Sequence, residues 1–520
     1  MLKSLLALLK ISFITMTKEQ YNKLDKCYFA FDVNSNCEEE TIDARKLICP
    51  QRFDLYANLL YIDHKMKGVK DEYALSVYKE RTRTITGFKM SEAQNAQKNS
   101  FEDFLAVFDA LIDDTRNGKY DTERTLIPVD KNYVLMDGAH RVSCAAYFDK
   151  EVKILRFVDY ESPHMSSDFL RKNIIPEKTL DAMALESCRW HDNLFMLIFW
   201  PKSFFQPETL DRAYRYVREK SVVVYQKECN MSYPAIRNLM IQMYGHMDWV
   251  GSIENDFSAT YTKADEIWDK NGKCSFIMIQ APSCDYVLKM KSEIREMFGI
   301  GLASIHTTDN IRETMIVANA IYNPNSMFFL HHAKPTTYKK SYRMMEKYKE
   351  TLIDNHCDLE KYIVDTSMVL SIFGLREASD LDYYTIDKKR HVFFKVPNIE
   401  EHDDSQKDYY VISIVDLIES PFNYFVFNEL KFVNLDRLLD FKNRRYEANH
   451  DIKDKHDMML IRHLKDKSNM SWQMKYNDFK IVCRRRMRLI HRSYSQMRKD
   501  ILVSLHLYEP LRSLKRRLRK

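Results

Sequence analysis

Only ten glycines interrupt these 520 residues. That scarcity limits where the backbone can turn sharply or let a ligand come close. It excludes the glycine-rich phosphate loops, and neither a Walker sequence nor GxGxxG occurs. With 13 prolines, it also argues against collagen, extended disorder and long flexible linkers. The chain is too long for one core, and about three or four domains of mixed α/β and α+β character are expected. The ten cysteines are scattered without a CxxC pair. A chain of this size needs no disulfide staples, so reduced thiols in the cytoplasm are expected.

Charge is placed unevenly. Between Lys480 and Lys520, 14 Lys or Arg stand against two acids, which leaves the rest of the chain acidic. In "PLRSLKRRLRK", Leu511, Leu514 and Leu518 share one helical face. This basic tail, residues 479–520, suits peripheral contact with an anionic membrane, with nucleic acid as second choice. The opening "MLKSLLALLK" is apolar but too short to span a bilayer. Residues 1–19 read as a leader lying in an interface or as an over-extended start, with Met16 the alternative.

One of the rare glycines, Gly138, lies in "YVLMDGAHRVSCAAYF". The pattern predicts a strand over "NYVLM", a turn, and a helix over "HRVSCAAYF". A helix that starts after a strand presents free amides to an anion. Gly138 lets a phosphate approach, Arg141 can fork onto its oxygens, and His140 can donate or move a proton. The Asp-Gly-x-His-Arg motif, Asp137 to Arg141, resembles the phosphate-binding motif of the ParB/sulfiredoxin superfamily. Ala139 stands where sulfiredoxins carry a reactive cysteine, and His140-Arg141 replaces the Arg-Arg of partition proteins. The nearer match is the kinase-like branch. The resemblance implies a domain over 20–185 that binds nucleotide or phosphate through Asp137, Gly138, His140 and Arg141, with His140 catalytic. "RFDLYANLLYIDHKMKG" and "FEDFLAVFDALIDDTRNG" are spaced as helices that wrap it.

Residues 186–335 alternate strand and helix: "LFMLIFWP", "PETLDRAYRYVREK", "SVVVYQKEC", "YPAIRNLMIQMYG", "CSFIMIQAP", "CDYVLKMKSEI". The segment that follows resembles the active-site stretch of nucleoside diphosphate kinases. Its counterparts are Ile294-Arg295, Phe298-Gly299-Ile300, His306-Thr307-Thr308-Asp309 and Glu313. The likeness implies a ferredoxin-like domain in which His306 is the phosphate-accepting nucleophile and Arg295 binds phosphate. Trp200-Pro201 stands where that family has Lys-Pro, and Ala303 where it has asparagine. "LHHAKP" lacks the spacing of a zinc site.

Residues 336–478 carry the third constellation. "KYIVDTSMVLSIFGLREASDLDYYTI" reads as strand, hydroxyl-bearing turn at Thr366-Ser367, helix, and strand. Asp380 and Asp382 alternate along the last strand, so both carboxylates leave one face. Two carboxylates suit Mg²⁺ or Mn²⁺ together with phosphate oxygens. The spacing from Thr366-Ser367 to Asp380-Leu381-Asp382 resembles the polymerase-β-like nucleotidyltransferase superfamily. Lys442, Lys453, Asp454 and Asp457 also match features of its small members. The likeness implies Asp380 and Asp382 as catalytic metal ligands, Thr366 and Ser367 at the triphosphate, and an NTP substrate. Thr366 replaces a glycine, and the third carboxylate is open among Asp403, Asp404 and Glu429.

Three stretches thus point to phosphate. The expected activity is a phosphotransferase or nucleotidyltransferase that couples a small hydroxylated metabolite to a nucleotide, for surface polysaccharide or lipid synthesis. The alternatives are a nucleic-acid-binding regulator with a nucleotide switch, and an inactive scaffold that keeps nucleotide-binding folds.

Overall fold

The computed structural model describes residues 15–24, 32, 34–92, 98–121, 125–387, 396–402 and 404–466, with scattered positions between 483 and 508. Residues 1–14 of the expected leader and the leucines of the basic tail lie outside the described residues. The chain is mixed α/β with three small sheets and divides into two units, Met1–Phe441 and Lys442–Lys520. No helix among the described residues is long and apolar enough to cross a membrane. The nine described cysteines are free thiols.

In chain order the first sheet comprises β1 (Cys37–Asp43), the helices α1 (Leu55–Lys67), α2 (Tyr73–Ile85) and α3 (Phe101–Arg116), then β2 (Ile127–Asp130), α4 (Ala139–Tyr147) and β3 (Glu151–Phe157). Its order is β1-β3-β2, with β2 parallel to β3 and β1 antiparallel to it. The strand expected over "NYVLM" is instead a return loop. Val134 N–H donates to the Asp130 carboxylate at 2.9 Å, and Tyr133 takes a left-handed φ of 62°. Leu135 then bridges back to Val129. The true strand, β2, lies at the sheet edge and carries Pro128, which has no N–H to donate and accepts the Met136 N–H of the return loop through its carbonyl at 3.0 Å.

The second sheet follows α5 (Glu177–Ser187). Its elements are β4 (Leu194–Phe199), α6 (Pro207–Lys220), β5 (Val222–Asn230), α7 (Tyr233–Tyr244), α8 (Ser258–Ile267), β6 (Lys273–Gln280), α9 (Cys284–Phe298) and β7 (Ile305–Thr307). The order β5-β6-β4-β7 is antiparallel between all neighbours. Each of β4–α6–β5 and β6–α9–β7 therefore closes around one intervening strand, and α7–α8 is inserted between β5 and β6. β4 is buried on both faces. Phe195, Leu197 and Phe199 join the core under α6 and α9. Leu194, Met196 and Ile198, alternating with them, join a larger core that runs from Ala44 to Leu330.

The third sheet comes after α10 (Ile311–Tyr322), α11 (Pro324–His332) and α12 (Lys339–Asp354). It contains β8 (Tyr362–Asp365), α13 (Thr366–Ile372), β9 (Leu381–Thr385), β10 (Ile399–Glu401), β11 (Tyr424–Phe427) and β12 (Leu430–Val433). The order is β10-β9-β8-β12-β11, with β8 antiparallel to β9 and β10 parallel to β9. In the second unit, α14 (Ile452–Lys465) packs its acids on Lys442.

Candidate functional sites

β8 delivers its last residue, Asp365, opposite Asp382 of β9. The chain then bends at Thr366, whose φ of 50° is left-handed. That conformation costs a side-chain-bearing residue roughly 1–2 kcal/mol, which is why the resemblance calls for glycine there. Thr366 holds it with a hydroxyl bond to Asp382 Oδ2 at 2.6 Å. Ser367 does the same to Asp380 Oδ1 at 2.9 Å. Leu381 is buried between two half-exposed aspartates, so the predicted alternation holds. The structure thus brings together Thr366, Ser367, Asp380 and Asp382.

It adds three residues that sequence reasoning missed. His402 lies just past β10, with Nε2 3.4 Å from Asp382 Oδ2 and Nδ1 3.4 Å from Asp365 Oδ2. Tyr410 donates its hydroxyl to Asp365 Oδ1 at 2.7 Å. Asp365 is fully buried. Burial opposes a charge on His402, but the carboxylates of Asp365 and Asp382 raise its pKa to about 9. A usable signal was present: in "IEEH", Glu400 and His402 alternate, and Glu400 is the register partner of Asp382.

The open choice of third carboxylate narrows. Glu429 is spent on Lys349 (2.7 Å) and Arg312 (2.6 Å). Asp403 and the Asp404 side chain lie outside the described residues. No group of three or more His, Cys, Asp and Glu among the described residues is arranged to hold a metal ion. The two aspartates still suit a hard cation that takes one or two protein carboxylates and completes its shell with water and substrate oxygens. In the second unit, Lys442 pairs with Asp454 (3.0 Å) and Asp457 (3.1 Å), and Arg445 forks onto Asp454. Lys453 is exposed.

The second site is a cavity of about 440 Å³ on the four-stranded sheet. His306 and Arg295, expected together from one stretch, both line it, with Tyr244, Lys263, Trp200 and Trp249. On β7, Ile305 points to the core under α9, so His306 points to the opposite side. The Tyr244 hydroxyl lies 3.0 Å from His306 Nδ1. Burial, then Lys291, Arg295 and Lys263, push His306 down to a pKa of about 3, so the ring is neutral.

At the third site, Gly138 caps α4 with φ 91°. That left-handed φ strains any residue with a Cβ, whereas the nearest atom, Ile127 Cδ1 at 2.9 Å, is a side-chain tip that could shift. Its N–H is taken by Asp137 Oδ1 at 2.6 Å, and Arg141 donates to Thr125. His140 and Arg141 do not act as a pair. One residue apart on a helix, they diverge by about 100°. The His140 Nε2 meets the Tyr78 hydroxyl at 2.9 Å, and its ring packs 4.4 Å from Phe108. Burial and then Arg81 hold its pKa well below the ordinary range. The expected phosphate-handling imidazole is instead a neutral member of an aromatic cluster.

No protein-family model matches the chain, and no curated protein or solved structure matches it.

Proposed function

We propose that the chain is a nucleotidyltransferase acting at Asp380 and Asp382. It would couple an NTP to a small hydroxylated metabolite or to its phosphate ester. One observation carries the reading: Thr366 and Ser367, in one bend, each reach one aspartate of the pair that flanks Leu381. The same bend therefore offers hydroxyl donors to phosphate and carboxylates to a cation.

An acceptor oxygen would form a bond to the α-phosphorus while the bond to the bridging oxygen breaks and pyrophosphate leaves. Asp380 and Asp382 would hold Mg²⁺, which when bound supplies positive charge to the triphosphate and the acceptor oxygen. Thr366 and Ser367 would turn their hydroxyls from the carboxylates to phosphate oxygens. Asp365 and Tyr410 fix His402, whose charge offsets that of Asp382. The four-stranded sheet, ferredoxin-like in strand order, would be of the kind found in nucleoside diphosphate kinases.

The test is pyrophosphate release from each NTP with Mg²⁺ or Mn²⁺ and a panel of hydroxylated and phosphorylated metabolites. Asp380→Asn/Asp382→Asn should lower it by about 100-fold or more, since each lost charge-stabilising contact costs several kcal/mol. Release that survives the double change rejects the assignment. A second reading, an inactive scaffold, is favoured by His402 standing on the Asp382 face where a third acid is expected. It predicts no turnover with any NTP.

A further inference from the structure

Arg295 is the unusual charge of this molecule. It is half-buried in the cavity wall, and no carboxylate among the described residues pairs with it. Its Nη2 donates to the Ile305 carbonyl at 3.2 Å, and its Nε is buried without an acceptor. Burial lowers its pKa below the ordinary arginine range. Lys263, on the same wall, is lowered by burial too, and has Glu266 at 3.6 Å. Among the lining residues, two cations and one acid leave one positive charge without compensation, and Lys291, close enough to act on His306, adds to it. A half-buried ion without an acid partner is costly.

The remaining lining is apolar and flat. Trp200, Trp249, Tyr244 and Leu302 form much of the wall. Trp200 is fully buried, yet its indole N–H also lacks an acceptor. A cavity of this volume, apolar with a few convergent polar groups, has the make-up of a small-molecule site.

We propose that this cavity binds a small, flat, apolar molecule bearing a single anionic group, with the anion on Arg295 and Lys263 and the ring against Trp249 and Tyr244. The anion supplies the counter-charge that the fold withholds from Arg295. His306, neutral and set by Tyr244, contributes a hydrogen bond and no charge. A nucleoside triphosphate is a poor match, because its several negative charges would crowd one largely apolar cavity whose lining offers two cations and the Glu266 carboxylate. The site lies on a different sheet from Asp380 and Asp382, and the inference stands whether or not they transfer nucleotides.

Isothermal titration calorimetry on the full chain tests it with four probes: 2-naphthoate, 1-naphthyl phosphate, neutral 2-naphthol and ATP. At least one of the two anions should bind about tenfold or more tightly than 2-naphthol, because a hydrogen bond to a charged group contributes about that much. Whichever of naphthoate and naphthyl phosphate binds better identifies the anion as carboxylate or phosphate. Arg295→Gln should weaken the anions by about tenfold and leave 2-naphthol unchanged. Trp249 is half-exposed at the rim. Trp249→Ala should weaken anions and 2-naphthol alike by about fivefold, and it serves where Arg295→Gln does not fold. Equal binding of 2-naphthol and the anions, tighter binding of ATP than of both, or no binding below about 1 mM overturns the proposal.

Discussion

Two histidines in this molecule are driven to opposite states. His402, on the five-stranded sheet, lies between the carboxylates of Asp365 and Asp382 and is held charged. His306, on the four-stranded sheet, faces Lys263, Lys291 and Arg295 and is held neutral. The first site balances its charges internally with acid, imidazolium, tyrosine and hydroxyl. The second leaves a guanidinium without an acid. A site that is internally paired resists change of any one member, whereas an unpaired one tolerates loss of its charge and gains from a ligand that restores the balance.

The contrast yields graded expectations. The largest concerns Asp365. Asp365→Ala leaves the largely buried His402 cation with one partner fewer and removes an acceptor of the Tyr410 hydroxyl, so it should cost about 3–5 kcal/mol in denaturant unfolding. Arg295→Gln removes a half-buried cation that has no acid partner among the described residues and should change stability by less than about 1 kcal/mol. Similar costs for the two would erase the distinction.

The pH profile comes next. His306 (about 3), His64 (about 4) and His191 (about 4) all lie below the ordinary 6.5, chiefly through burial. Their contribution is complete above pH 6.5 and is lost as pH falls through their folded values. His402, at about 9, contributes fully below 6.5 and loses its contribution as pH rises through 9. Each group contributes at most about 1.4 kcal/mol per pH unit. Melting temperature measured in EDTA should therefore peak near pH 6.5, with the acid limb steeper. His402→Gln should flatten the alkaline limb only. A profile that rises steadily from pH 6.5 to 9 would contradict the charged state of His402.

The smallest effect is at the bend. Thr366→Ala keeps the left-handed backbone and loses the bond to Asp382, whereas Thr366→Gly loses the bond and releases the strain. The glycine variant should be more stable than the alanine variant by about 1 kcal/mol. Equal stability would mean that residue 366 is not strained.

The elements of 190–300 were readable because their apolar residues repeat cleanly at two or at 3.6 and are bounded by Pro201, Pro207, Ser221 and Ser283. The Asp380–Asp382 face was readable for the same reason. The β2 strand was not, because Pro128 argues against a strand wherever edge position is unknown, while the return loop, with Val134, Leu135 and Met136 buried, is as apolar as a strand. His402 and Tyr410 were hidden by distance. They reach Asp365 from 37 and 45 residues downstream, and only the pairing of β10 with β9 brings them there. The contacts of His140 were hidden in the same way, because Tyr78 and Phe108 reach it from helices 62 and 32 residues upstream.

β4 has one more consequence. Because its odd and even side chains are claimed by different cores, and one of those cores reaches back to Ala44, the helices before residue 190 and the sheet after it should melt and refold as one body. A fragment starting at residue 186 would carry a strand with one oily side bare, and is expected to be recovered as aggregate. Evolution could trade loops on such an architecture freely, but could not lift either part out alone.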